Sequence, residues 1–254
     1  MCLISFAYKC IPNYKLILIA NRDEFFDRPS KSAYDWGNGI IGGQDLKSGG
    51  MWFGLHKSGK FAAITNYRNG FDKREFKTSR GSIVKGFLNF QNSAEEYANL
   101  LKQNKNEYAG YNLIFGDINK ILYYSNIEDK ITTIQSGIHG LSNAFLNSSW
   151  PKVDKAKEFF DVMKSNNEKL NREKIFSFMV DESKATKNLL PKTGINEELE
   201  YQLSSIFIRL PNYGTRTTTL LTIDSYERIE FRERTYSFNK NEYSDRMFKI
   251  KKPE

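Results

Sequence analysis

"MCLISFAYKCIPNYKLILIANRDEFFDRP", residues 1–29, holds two nearly continuous apolar runs around a turn-like Ile11-Pro12-Asn13. β-Branched and aromatic residues dominate both runs, which predicts a hairpin. Neither run alternates cleanly between apolar and polar, so both faces of the hairpin are expected to be covered. A ribbon covered on both sides belongs inside a layered fold. The charged stretch "NRDEFFDRPS" (21–30) reads as a loop, because of Pro29 and its charges.

The pattern continues outward from there. "GNGIIGGQDLKSGG" (37–50) reads as a glycine-rich loop, and "MWFGLHKSGKFAAITNYR" (51–68) as a second hairpin turning at Ser58-Gly59. From Thr78 the period changes. "TSRGSIVKGFLNF" (78–90) and "SAEEYANLLKQN" (93–104) predict helices, the second with Ser93 as N-cap and Glu96 completing a capping box. "YNLIFGD", "KILYYSN" and "ITTIQS" predict strands with turns at Ile118-Asn119 and Glu128-Asp129, and "GIHGLSNAFLNSSW" (137–150) a loop. Pro151 opens the helix "PKVDKAKEFFDVMKSN", with Trp150 just before it. A helical stretch covers about residues 170–182, and a polar connector runs to about 200. The strands "SSIFIRL" (204–210), "TTTLLTID" (217–224) and "RIEFRERTY" (228–236) follow, and the tail from about Lys240 is expected to fray. Strands, helices, strands, helices, strands is the order of an α+β fold built from antiparallel hairpins, a layered sandwich of sheets and helices. No repeat, low-complexity tract or Pro/Ser-rich linker divides the chain, so residues 1–254 read as a single domain.

Composition limits the function. Hydrophobic residues make up 39% of the 254, enough for a substantial core. The net charge of +8 is dispersed, with no basic run interleaved with stacking aromatics. Nucleic acid is therefore not an expected partner, whereas an anionic small molecule suits the charge. No apolar run approaches the roughly 20 residues of a membrane span, and the first residues lack the features of a signal peptide. Two cysteines cannot form a disulfide framework, and a Cys2–Cys10 pair is not expected. The compartment reads as reducing and the location as cytoplasmic. Two histidines with two cysteines argue against a zinc site, and no metal or cofactor is expected. There is no G-x-S-x-G, no P-loop and no strand-linked G-x-G-x-x-G.

Six residues in five stretches carry candidate chemistry. Removal of Met1 would leave Cys2 with a thiol beside a free α-amine, whose ordinary pKa of about 7.7–8.0 suits a base for its own side chain. Without that step, Cys2 is a small buried strand residue. Arg22 and Asp23 follow an apolar strand, where a guanidinium and a carboxylate can orient a nucleophile or simply pair in a loop. Asn66 ends a strand, where its amide can donate to an oxyanion or cap a turn. Asn143 in "GLSNAFL" stands in a similar place, and Arg216 opens the Thr-rich strand. All lie at or next to predicted strand ends, where side chains from several strands can converge.

The blocks "MCLISF", "LILIANRDEFFDRP", "GGMWFGLHKSGKFAAITNYR", "YNLIFGD", "GLSNAFLNSSWPKV" and "NYGTRTTTLL" resemble, in the same order, those of the NRDE family, which takes its name from the tetrapeptide found here at residues 21–24. The resemblance spans nearly the whole chain. It implies an N-terminal-nucleophile hydrolase-like αββα sandwich, four layers of helices and antiparallel sheets. It also implies Cys2 as nucleophile, Arg22 with Asp23 beside it, Asn66 as oxyanion donor, Asn143 near the α-amine, and Arg216 as a late-strand arginine. Two functions follow as expectations. One is an N-terminal cysteine hydrolase or acyltransferase acting on a non-peptide amide bond. The other is a non-catalytic carrier of haem or an acyl-CoA-like anion on the same scaffold.

Overall fold

The computed structural model describes residues 2–76, 78–166, 170–237 and 241–250. Its strands in chain order are β1 (Cys2–Ile11), β2 (Tyr14–Phe25), β3 (Ser30–Asp35), β4 (Ile40–Asp45), β5 (Phe53–His56), β6 (Phe61–Asn66), β7 (Tyr111–Gly116), β8 (Ile121–Ser125), β9 (Lys130–Thr133), β10 (Gly137–Leu141), β11 (Tyr213–Asp224), β12 (Ile229–Tyr236) and β13 (Tyr243–Ile250). The helices are α1 (Gly81–Asn89), α2 (Ala94–Gln103), α3 (Pro151–Ser165), α4 (Arg172–Met179) and the short α5 (Glu197–Gln202).

Two antiparallel sheets stack face to face, one ordered β10-β1-β2-β11-β12-β13 and the other β3 to β9 in chain order. Alternation along β1 and β2 explains the layers. Ile4, Phe6, Leu16 and Leu18 point into the core between the sheets, with Phe53, Phe61 and Ile114 from the opposite sheet. Their neighbours Leu3, Ala7, Ile17 and Ile19 point the other way, onto Val153, Phe160 and Phe176 of α3 and α4. The second sheet does the same: Ala62, Leu113 and Phe115 meet Ile83, Phe87, Ala98 and Leu101 of α1 and α2. The result is helices, sheet, sheet, helices. The first hairpin therefore has helices on one face and a sheet on the other, which its continuous apolarity requires.

Helix signals in the sequence correspond to real caps. Ser93 accepts from the Glu96 N–H at 3.2 Å while the Glu96 carboxylate accepts from the Ser93 N–H at 3.0 Å. Pro151 stands in the first turn of α3.

Six segments depart from expectation. β2 does not stop at Asn21 but runs on to Phe25, because β11 pairs with it from Tyr213↔Phe25 inward, with a register shift at Arg216. The "IIGGQD" stretch is β4 rather than a loop. Its glycines let it lie close to β5, since a Cβ on Gly42 would stand 2.7 Å from the Phe53 carbonyl and one on Gly43 2.3 Å from the Trp52 ring. β3 pairs outside it through Ser30↔Asp45. "GIHGL" is also a strand, β10, held to β1 through Ile4↔Leu141. Residues 204–210 form no strand apart from a bridge at Arg209 to Gly214. They tuck beneath the first sheet, with Asn21 Nδ2 donating to the Ile206 carbonyl at 2.9 Å. The polar connector contains α5, capped by Asn196, which accepts from the Leu199 N–H at 2.7 Å. Lastly, the tail is not frayed over residues 243–250: β13 pairs with all of β12, and Asp245 there bonds Arg234 at 2.9 Å. Lys240 and residues 251–254 of that expected frayed tail lie outside the described residues.

Leu18 is 0% exposed between the sheets. Leu18→Ala is expected to cost about 2–5 kcal/mol, read as a lower urea midpoint at unchanged slope.

Candidate active site

Cys2 and Arg22 are direct partners across the β1–β2 pair, so both side chains leave the same face of the sheet, toward its partner sheet. There the apolar core gives way to a cavity of about 810 Å³. Cys2, Arg22, Asp23 and Asn66 all contribute to its wall.

Arg22 is only 5% exposed. Its guanidinium lies 4.3 Å from the centre of the Trp52 ring and reaches Asp45 at 3.6 Å and Glu24 at 3.7 Å. Nη1 has no hydrogen-bond partner among the described residues. Asp45 is shared: Arg28 Nε donates to it at 2.5 Å, and the Ser48 N–H at 2.9 Å. Burial works against ionisation of Asp45, yet Arg28 and the Ser48 N–H outweigh it, and the carboxyl is held below its ordinary range.

Asp23 follows Arg22 and therefore leaves the opposite face of β2. Its Oδ1 accepts from the Thr215 hydroxyl at 2.6 Å, and its backbone carbonyl from the Tyr213 hydroxyl at 3.1 Å. Burial pushes the Asp23 carboxyl up. Burial likewise pushes up the Cys2 thiol, the charge of Asp23 adds to the rise, and Arg22 opposes it. Met1, whose loss the N-terminal-nucleophile reading requires, lies outside the described residues.

Asn66 closes β6, and its side-chain amide has no hydrogen-bond partner among the described residues. Asn143 does not line the cavity. It is 0% exposed and ties the site together from behind: its Nδ2 donates to the Asn66 carbonyl at 2.7 Å, and its own carbonyl accepts from the Arg68 N–H at 2.7 Å. Ser142 beside it donates to the Cys2 carbonyl at 3.0 Å. Arg216 is also outside the cavity wall. It sits at the register shift of β11 against β2, and its Nη1 faces three carbonyls in the turn after β2, Phe25 at 2.8 Å, Arg28 at 3.2 Å and Phe26 at 3.3 Å.

Several site residues were not singled out in the sequence. Trp52 and Lys152 lie inside quoted blocks, "GGMWFG" and "SSWPKV", but only packing reveals that one covers Arg22 and that the other is buried. Arg80, the residue before α1, lines the cavity with nothing local to mark it. Its Nη1 donates to the Gly110 carbonyl at 3.1 Å, and no carboxylate pairs with it among the described residues. Met51, Ile64, Leu199, Leu203 and Leu210 make the rest of the wall largely apolar. Among the described residues no group of three or more His, Cys, Asp or Glu side chains could hold a metal. Nor is any described helix long and apolar enough to cross a membrane.

Two antiparallel sheets between helix layers are the architecture of the N-terminal-nucleophile hydrolase fold. The C2A mutant of conjugated bile acid hydrolase from Clostridium perfringens superposes with a TM-score of 0.53, covering 100% of this chain and 97% of that one at 11% identity. Sequence comparison narrows the class. A match to the family described as Transport and Golgi organisation 2 spans residues 1–237, and the chain belongs to that family. It is 33% identical over 258 residues to the human Transport and Golgi organization protein 2 homolog, covering 92% of this chain and 93% of the relative. To the Drosophila melanogaster protein it is 27% identical, covering 92% of each.

The lowered Asp45 pKa fixes a pH dependence. A carboxyl with a depressed folded pKa contributes stability that is present above its unfolded value of about 3.9 and lost as pH falls through the folded value. Asp45→Asn is expected to lower the urea midpoint at pH 7. The gap from the natural chain should close in titrations carried below pH ~3.9.

Proposed function

We propose that the chain is an N-terminal cysteine hydrolase or acyltransferase acting on a non-peptide amide bond. The observation that carries this reading is the direct pairing of Cys2 with buried Arg22 at the wall of a large cavity that Asn66 also lines. In the proposed reaction Met1 is removed and the freed α-amine takes the proton of the Cys2 thiol. The thiolate attacks the amide carbonyl, forming an S–C bond. Asn66 Nδ2 donates to the developing oxyanion. The C–N bond then breaks, the amine leaves with the proton returned by the α-amine, and water or a second amine cleaves the thioester. Arg22 and Asp23 orient the nucleophile strand from its two faces. Asn143 positions Asn66 and, through Ser142, the start of β1. Arg216 braces the turn that carries Arg28.

The wall suggests the substrate class. An apolar acyl group suits Met51, Ile64 and the three leucines, and an anionic group suits Arg80, which no carboxylate pairs among the described residues. We place the reaction in the cytoplasm, where Cys2 and Cys10, both free, stay reduced.

Burial raises the Cys2 thiol, which favours the carrier reading. A carrier of haem or an acyl-CoA-like anion would bind equally well with Cys2→Ala. The hydrolase reading predicts an intact mass lacking Met1, hydrolysis of an N-acylglycine, and loss of that activity in both Cys2→Ala and Cys2→Ser. Arg80→Ala is expected to raise KM about tenfold for N-lauroylglycine and leave N-lauroylethanolamide unchanged. Active protein that retains Met1 would overturn the reading.

A further inference from the structure

The short helix α5 stands on the cavity wall without an apolar anchor. Leu199 within it and Leu203 just after it line the cavity, yet the one buried residue among its six is Glu200. A helix of six residues is too short to hold itself together, and an apolar stripe ordinarily fixes such a piece to the core. Here the anchor is a carboxylate, 2% exposed. Its Oε2 accepts from Arg68 Nη1 in a buried ion pair, and its Oε1 accepts from the Thr193 N–H at 3.2 Å and from the Thr193 hydroxyl. A buried ion pair adds little stability over well-packed apolar side chains of the same volume. What it supplies instead is direction, because charged hydrogen bonds hold one geometry.

Arg68 belongs to the frame of the site. It lies two residues beyond Asn66. Its N–H donates to the Asn143 carbonyl at 2.7 Å, and Asn143 Nδ2 in turn donates to the Asn66 carbonyl at 2.7 Å. Its guanidinium lies 4.9 Å from the centre of the Trp150 ring, at the start of α3. Among the described residues no carboxylate other than Glu200 pairs with it. Thr193 is held by the same segment: the Gly70 N–H donates to the Thr193 carbonyl at 2.8 Å, and a Cβ on Gly70 would stand 2.4 Å from the Gly194 carbonyl. Residues 66–70 thus carry both the strand end at Asn66 and the two holds on the anchor of α5. Glu200 joins the leucines of the cavity wall to that strand end without lining the cavity itself.

We propose that Glu200 is a positioning residue for acyl recognition: its pairing with Arg68 fixes Leu199 and Leu203 as the wall that contacts a long acyl chain, and so sets the preference for chain length. This rests on the reading that an acyl group occupies the cavity, but its test needs no turnover. Binding of N-hexanoylglycine and N-lauroylglycine to Cys2→Ala protein is measured by titration calorimetry, with and without Glu200→Gln. The two ligands share the glycine carboxylate, so the ratio of their affinities reports the chain alone. Glu200→Gln is expected to weaken N-lauroylglycine about tenfold, equivalent to the contact of roughly two methylene groups, and N-hexanoylglycine less than about twofold. A purely structural role would lower the binding-competent fraction and weaken both ligands by one factor. Equal losses therefore overturn the proposal, as do unchanged affinities, and as does a Cys2→Ala protein that holds the longer chain no better than the shorter. Should Glu200→Gln not fold, Thr193→Val removes the hydroxyl bond and leaves the ion pair. It is expected to shift the ratio in the same direction by about twofold, and an unmoved ratio overturns the proposal instead. Hydrolysis of N-lauroylglycine by the natural chain with an unmoved ratio overturns this proposal alone. The expected binding pattern without hydrolysis counts against the hydrolase reading alone.

Discussion

The alternation of β2 is the constraint from which the rest follows. Residues 22 and 23 are consecutive in an extended strand, so their side chains must leave opposite faces of the sheet. One charge is driven between the two sheets and its opposite is driven under the helices. Both are nearly fully buried, and each charge needs an environment made for it. Arg22 has the Trp52 face with Asp45 and Glu24 nearby. Asp23 has the Thr215 hydroxyl and the field of Lys152. The strand is held in place by β1 on one side and β11 on the other. A shift by one residue would exchange the two charges and leave both in the wrong layer.

The same geometry explains which parts of the fold were legible in the sequence. Long apolar runs such as residues 14–20 state their burial directly, and capping residues such as Ser93 state helix starts. The α+β class and the stacking of layers follow from these. "NRDEF" read as a loop because charges in a strand look solvated until their partners are known, and those partners come from residues 45, 52 and 215. "IIGGQD" read as a loop because its glycines serve a close approach to β5 rather than a turn. "GIHGL" has too few β-formers to announce itself and is a strand because β1 offers it an edge.

For the site, the sequence marked the residues that sit on strands and passed over those that act through packing. Cys2, Arg22, Asp23 and Asn66 do converge on one cavity. Asn143 and Arg216 stand behind it, one tying β6 to β1 and the other gripping a turn. Arg80 and Lys152 had no local signal, since an arginine before a helix and a lysine in its first turn ordinarily face water. Only their burial against distant residues sets them apart.

β13 bears on a different matter, the behaviour of the molecule among other chains. It is an outer strand of its sheet, and Tyr243 to Met247 are all exposed. An outer strand carries unpaired backbone groups that could accept a strand from a neighbour. Here the exposed positions include Asp245, Arg246 and Lys249, with Asp245 clasped by Arg232 and Arg234. A strand charged in this way is a poor template for further pairing, so the polar carboxy-terminal stretch shields a strongly apolar sandwich from aggregation.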